Sequence, residues 1–186
     1  MTPTHRNAHG ALSIRDGRLH VENCDVTDLA RRHGTPCYVV SEGQLRANAR
    51  RIGAAFAAAW PHGPVAMLPA FKAAPSLAVR AILTDEGLGC DAFGAHELRA
   101  ALRAGVPGAS ISLNGPRKDA ATLAAAIEAG ATVTLDDAGE LDALRAAIAA
   151  VGRPARVHIR LRPDYARRRP FPDFFRAVAA VPQRDE

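Results

Sequence analysis

With 186 residues and 48% hydrophobic content, the chain can build one ordinary core, and its composition excludes a disordered or low-complexity protein. No stretch is long and apolar enough to span a bilayer, and the N-terminal MTPTHRNAHG lacks an apolar signal core; a cytoplasmic protein without a membrane partner is expected. The net charge of +5 is uneven: residues 1–152 balance and residues 153–186 carry the whole excess. Without a basic patch interleaved with aromatics, this end does not argue for a nucleic-acid partner.

Three cysteines, Cys24, Cys37 and Cys90, lack metal-ligand spacing, and an odd count argues against a disulfide framework, so buried free thiols are expected and no metal site. Residues 11–21, ALSIRDGRLHV, alternate on both sides of Asp16-Gly17 and predict a tight hairpin. Thr27 is read as the cap of a short helix, DLARRH, that Gly34 stops. Pro36–Val40 reads as a strand. Ser41 and Gln44 then open a helix carrying Leu45, Ala49, Ile52 and Phe56 at helical spacing, which Pro61 ends.

From Pro64 a rhythm sets in. Apolar strands at 65–71, 88–93, 109–114, 131–135 and 155–162 alternate with amphipathic helices at 76–86, 95–104, 119–129 and 137–151. Gly87, Gly105, Gly130 and Gly152 stand at the helix C-termini, where left-handed backbone is wanted. Strand–helix units in series predict parallel strands with helical crossovers, either a doubly wound sheet or a barrel. No glycine-rich phosphate fingerprint follows the first strand, which disfavours a dinucleotide fold.

Both architectures place chemistry at the C-terminal strand ends, where Lys72, Asp91, Asn114, Asp136 and Arg160 lie. Lys72 draws the eye. Of 24 basic residues only Lys72 and Lys118 are lysines, and an amine can act as a nucleophile and form a Schiff base where a guanidinium cannot. The bland alternative is a solvated lysine in a strand-to-helix loop. In ARVHIRLR, Val157, Ile159 and Leu161 suit the helix layer, while His158, Arg160 and Arg162 face the interior, where a buried arginine needs an anion. Asp136 is open to a helix-capping role, Glu97 to a first-turn dipole role, and Lys118 in GPRKD is expected in solvent.

The ordered segments DGRLHV, GTPCYVV, PAFKAA, GLGCDAFGAHELRAALRAGV, ISLNGPRKDAATLAAAIEAG, VTLDDAGELDAL and VHIRLRPD, spanning roughly 11–164, resemble the N-terminal half of the pyridoxal-phosphate decarboxylases of diaminopimelate, ornithine and arginine, the first most of all. The resemblance implies an α/β fold: a partial (β/α)8 barrel with about five barrel strands. It assigns 1–35 to an N-terminal hairpin and short helix, 36–164 to the partial barrel and 165–186 to an irregular basic tail. By the same resemblance Lys72 carries the pyridoxal 5′-phosphate, and Asp91 and Arg160 lie near its ring. Implied too are a small amino-acid substrate and a homodimer. The reaction implied is decarboxylation of meso-diaminopimelate to L-lysine; a non-catalytic cofactor carrier or a racemase of the same barrel type is the alternative.

The family commonly has an aromatic at Pro69, Asn at Ala74 and Ser at Gly94. Pro69 also removes a ladder donor, so a local bulge is expected. After Asp164 the sequence fits no further strand–helix unit, and a truncated or frame-shifted, inactive form is expected.

Overall fold

The computed structural model describes residues 10–116 and 118–161. Asp16 and Gly17 both hold left-handed backbone, at φ 48° and 73°, and turn β1 (Leu12–Arg15) into β2 (Arg18–Val21) with Leu12 opposite Val21 and Ile14 opposite Leu19. That is the predicted hairpin. A short β3 (Cys24–Asp25) extends it and leads into α1 (Val26–His33). The cap of α1 is Asp25 and not Thr27. Its carboxylate accepts from the backbone N–H of Thr27 at 2.7 Å and of Asp28 at 3.4 Å, and so satisfies the orphan donors of the first turn.

Pro36–Val40 forms no strand; every residue in it is exposed, and local strand propensity has no neighbouring strand to pair with. Ser41 opens α2 (Glu42–Ala59) by accepting from the Gln44 N–H at 3.0 Å. Gln44 does not reach back to complete a box; its amide donates to Asn48 at 3.0 Å. A second acceptor comes from the hairpin. Glu22, at φ 53°, takes the Ser41 hydroxyl at 2.6 Å and the Gly43 N–H at 2.7 Å, and these contacts hold its carboxyl below the ordinary range.

The barrel portion is a four-stranded parallel sheet: β4 (Cys90–Phe93), β5 (Ile111–Asn114), β6 (Thr132–Leu135) and β7 (Arg156–Ile159), in that order. Helices α3 (Leu77–Asp85), α4 (Ala95–Arg103), α5 (Ala120–Ala129) and α6 (Glu140–Val151) make the crossovers. The first of the five predicted strands, 65–71, is not a full ladder member. It runs extended beside β4, accepting from the Gly89 N–H through the Met67 carbonyl at 2.9 Å and from the Asp91 N–H through the Pro69 carbonyl at 3.3 Å, with one parallel bridge from Ala70 to Asp91. Pro64 and Pro69 have no N–H to return, so the segment serves mostly as acceptor.

Strand alternation sorts the two faces of the sheet. Cys90, Ala92, Ile111, Leu113, Val133 and Leu135 pack outward against Leu98, Leu123, Ile127 and Leu144 in one buried cluster. Asp91, Ser112, Asn114, Thr132, Thr134, His158 and Arg160 occupy the opposite face by the same alternation. On α6, Leu144 is buried and Ile148 and Val151 pack against the cluster. Val157, Ile159 and Leu161, expected under a helix layer, are exposed. Two of the three thiols, Cys24 and Cys37, are likewise exposed and only Cys90 is buried. Arg162 and the tail after it lie outside the described residues.

Candidate active site at the strand ends

The predicted strand-end residues gather on one rim, though not all where expected. Lys72 sits in a 3-10 turn, Phe71–Ala73, two residues past the bridge that ties its segment to β4. Its exposed side chain makes no ion pair among the described residues; Nζ lies 5.1 Å from the centroid of the Phe93 ring. Arg80 anchors the segment from beneath. It is buried on α3 and donates to the Pro69 carbonyl at 3.2 Å.

Asp91 is inside β4 rather than at its end, half-buried, with Ser112 as its register partner. Its carboxylate accepts from the Asn114 amide, which also donates to the Ser112 hydroxyl at 3.2 Å. The Asn114 carbonyl in turn accepts from Arg160 at 3.4 Å. Arg160 follows β7 directly; its N–H continues the ladder to the Leu135 carbonyl at 2.8 Å, and its Nε pairs with the Asp136 carboxylate. Asp91, Asn114, Arg160 and Asp136 thus form one connected polar row across the four strands.

Asp136 does not cap α6, whose cap position is Gly139 with no side-chain bond. It pairs instead with Lys118 at 3.3 Å as well as with Arg160. Lys118 is a correction: its side chain has no exposure at all and lies against the Gly115 carbonyl, Asp136 and, at 2.9 Å, Glu140. The Glu140 contact is an ion pair off ideal hydrogen-bond geometry. Two helix-first-turn acids use one device here. Glu97 accepts from the Phe93 N–H and Glu140 from the Asp136 N–H, each at 2.8 Å and four residues on, which fixes the loop leaving β4 and the loop leaving β6. Glu97 therefore holds a strand end as well as facing its helix N-terminus.

Phe93, Gly115, Pro116, Asp136, Asp137 and Arg160 line a cavity of about 470 Å³ on this rim. A larger one of about 510 Å³ opens along the inner face, bordered by Ser112, Thr132 and His158. Sequence reasoning missed Phe93, Arg80, Glu140 and the buried state of Lys118. The signals were present: Lys118 is the second of two lysines, and Glu140 stands four residues after Asp136 as Glu97 does after Phe93.

Residues 42–171 match the family described as pyridoxal-dependent decarboxylase, pyridoxal binding domain. The chain belongs to this pyridoxal-dependent decarboxylase family. Its relatives include diaminopimelate decarboxylases. It is 35% identical over 154 residues to that enzyme from Zymomonas mobilis, covering 82% of this chain and 36% of the relative. The crystal structure of diaminopimelate decarboxylase from Methanocaldococcus jannaschii superposes with a TM-score of 0.78 at 31% identity, over 84% of this chain and 37% of that one. The same enzyme in complex with L-lysine gives 0.77 at 30% identity, with the same coverage of both chains, 84% and 37%. The chain spans about a third of the length of these relatives. The family's cofactor is pyridoxal phosphate, and the sheet is part of the family's N-terminal barrel.

The residues on the rim suit that cofactor at its aldehyde end. An aldehyde requires an amine that no carboxylate occupies. Lys72 meets this among the described residues, whereas Lys118 is enclosed by two carboxylates and a carbonyl. Among the described residues no helix is long and apolar enough to cross a membrane.

Proposed function

We propose that this chain is the amine-bearing barrel segment of a decarboxylase that converts meso-diaminopimelate to L-lysine and carbon dioxide. The observation that carries the reading is the pair of lysines: one at the rim without an ion pair among the described residues, one buried in an ion-paired cluster. Lys72 supplies the amine that joins the cofactor's aldehyde carbon. Bound there, the cofactor supplies an electron sink for the pair left as carbon dioxide departs. Asp91, held by the Asn114 amide, would supply a fixed carboxylate near the ring. Arg160, held by Asp136 and Asn114, sets the positive charge on the same rim. Phe93 gives the Lys72 amine an apolar flank that limits water on that side. A cytoplasmic setting and a homodimer complete the reading and rest on the family likeness alone.

The test uses the two lysines. The chain is incubated with pyridoxal phosphate, reduced with borohydride, digested and mapped. The adduct is expected on Lys72; an adduct on Lys118, or none, overturns the site. Titration of the loaded chain with meso-diaminopimelate, ornithine and arginine then separates substrate from cofactor. A visible-spectrum change at the lowest concentration of meso-diaminopimelate supports the substrate, and equal responses to all three remove it while leaving the cofactor site intact.

A further inference from the structure

Lys118 sits in the five-residue connection 115–119 between β5 and α5, a place where lysines ordinarily reach into water. Here the side chain turns inward until none of it is exposed. A buried charge is tolerated only with partners, and three oxygens from three places surround it: the Gly115 carbonyl, Asp136 and Glu140. An ammonium has three donors that point apart, which suits such a site; a planar guanidinium does not. That accounts for a lysine here in a chain whose only other lysine is Lys72.

The cluster closes electrically as well. Among the described residues two cations, Lys118 and Arg160, meet two carboxylates, Asp136 and Glu140. Asp136 divides its oxygens, Oδ2 toward Lys118 and Oδ1 toward Arg160 Nε. Lys118 is the wholly buried member of the four and Arg160 the most exposed, with 44% of its side chain open. Without Lys118, two nearly buried carboxylates face a single, half-exposed cation, and the Asp136 carboxylate is free to rotate or to move from Glu140. Arg160 then loses its fixed acceptor, and through Asn114 the change reaches Asp91.

We propose that Lys118 is a positioning residue, which holds Arg160 in place at the strand ends through the carboxylate they share. Its bearing on the cofactor rests on the reading that Arg160 and Asp91 face the ring; the holding of Arg160 does not. Two readouts keep these apart. The first needs no cofactor: the rate at which phenylglyoxal modifies Arg160, followed by peptide mass and referred to the exposed Arg31 of α1. Loss of a partly exposed pair predicts an Arg160 rate about two- to fivefold faster in Lys118→Met and in Asp136→Asn. Glu140→Gln, which leaves the Lys118–Asp136–Arg160 series intact, is expected to react like the parent. Lys118→Gln is the second variant, keeping a donor for the Gly115 carbonyl without the charge, and it is expected to match Lys118→Met. An unchanged Arg160 rate in both Lys118 variants, with Asp136→Asn still faster, overturns the proposal. So does loss of the native circular dichroism spectrum in both, which makes Lys118 a residue of the fold alone.

The second readout is pyridoxal phosphate affinity of the parent, Lys118→Met, Arg160→Met and the double variant. Action through Arg160 predicts that the double variant binds no more weakly than Arg160→Met. Fully additive losses overturn that route. If the parent binds none, the reading of the site fails, and the phenylglyoxal comparison still decides whether Lys118 holds Arg160.

Discussion

Gly108 and Gly130 are glycines for different reasons, and Gly→Ala at each separates them. Gly108 lies in the 3-10 turn before β5, outside the left-handed region, so alanine meets no backbone objection there. Space is the objection. A Cβ would stand 1.7 Å from the Ala129 carbonyl oxygen at the end of α5, and since ordinary contact begins at 3.4 Å, that carbonyl or the turn must retreat by 1.7 Å. The obstacle is backbone, half-buried at the end of α5, and cannot swing aside as a side chain can. Overpacking of this severity belongs at the upper end of its range, ~3 kcal/mol. For a chain of this size that is a fall in melting temperature of ~6–12 °C. Gly130 is the converse: φ is 75° and nothing lies within 4 Å of its Cβ position, so Gly130→Ala carries only the left-handed strain of ~1 kcal/mol. Thermal and urea melts followed by circular dichroism at 222 nm give both values (a wavelength about where helices absorb). If Gly108→Ala costs less than Gly130→Ala, the close approach of the β5 turn to α5 is wrong.

Leu98→Ala, which empties a fully buried position in the cluster, is expected to cost ~2–5 kcal/mol in the same urea titration. Acid should loosen the fold over a defined window. Hydrogen bonding from Arg18 lowers Asp25 from 3.8 to about 2, and Arg50, then Arg46, lower Glu86 from 4.5 to about 2. Depressed folded values mean stability that is complete above the unfolded values and is lost as pH falls from about 4.5 to about 2. Glu86→Gln should flatten part of that fall in a pH series of melting temperatures; an unchanged slope would mean its two arginines do not hold it in solution. Carbon dioxide release from meso-diaminopimelate by the 186-residue chain alone is expected to be undetectable, because the described rim offers an amine and a row of charged side chains while the chain spans about a third of the relatives' length. Release abolished by Lys72→Ala would refute this.

The strand–helix rhythm was legible because each unit carries its own punctuation. Gly87, Gly105, Gly130 and Gly152 all take positive φ where the helices end, and the hairpin register follows from Asp16-Gly17. Local signals failed where a distant partner decides. Residues 64–70 have the apolar content of a strand, but two prolines remove donors, so the segment lies beside β4 as an acceptor without joining the ladder. In Cys24–Thr27 two residues can cap α1, and only the structure shows Asp25 placed to do so while Arg18 reaches it at 3.1 Å. Lys118 reads as solvated because a GPRKD loop is polar; its burial depends on Asp136 and Glu140, which belong to the next unit. The row from Asp91 to Arg160 was legible as strand-end positions, but its connection through Asn114 was not, since side-chain orientation across strands has no signature in spacing.

Glu22 bears on where this chain can be cut. The start of α2 is satisfied partly from nineteen and twenty-one residues upstream, through Ser41 and Gly43. A boundary drawn at residue 35, between hairpin and barrel, would therefore sever a helix from one of its own caps. Excising the first 35 residues should fray α2 at its beginning and expose the Gly43 amide to rapid hydrogen exchange, whereas Glu22→Gln in the whole chain, which keeps an acceptor oxygen, should slow exchange there relative to the excised form. The hairpin is in that sense the first turn's missing half.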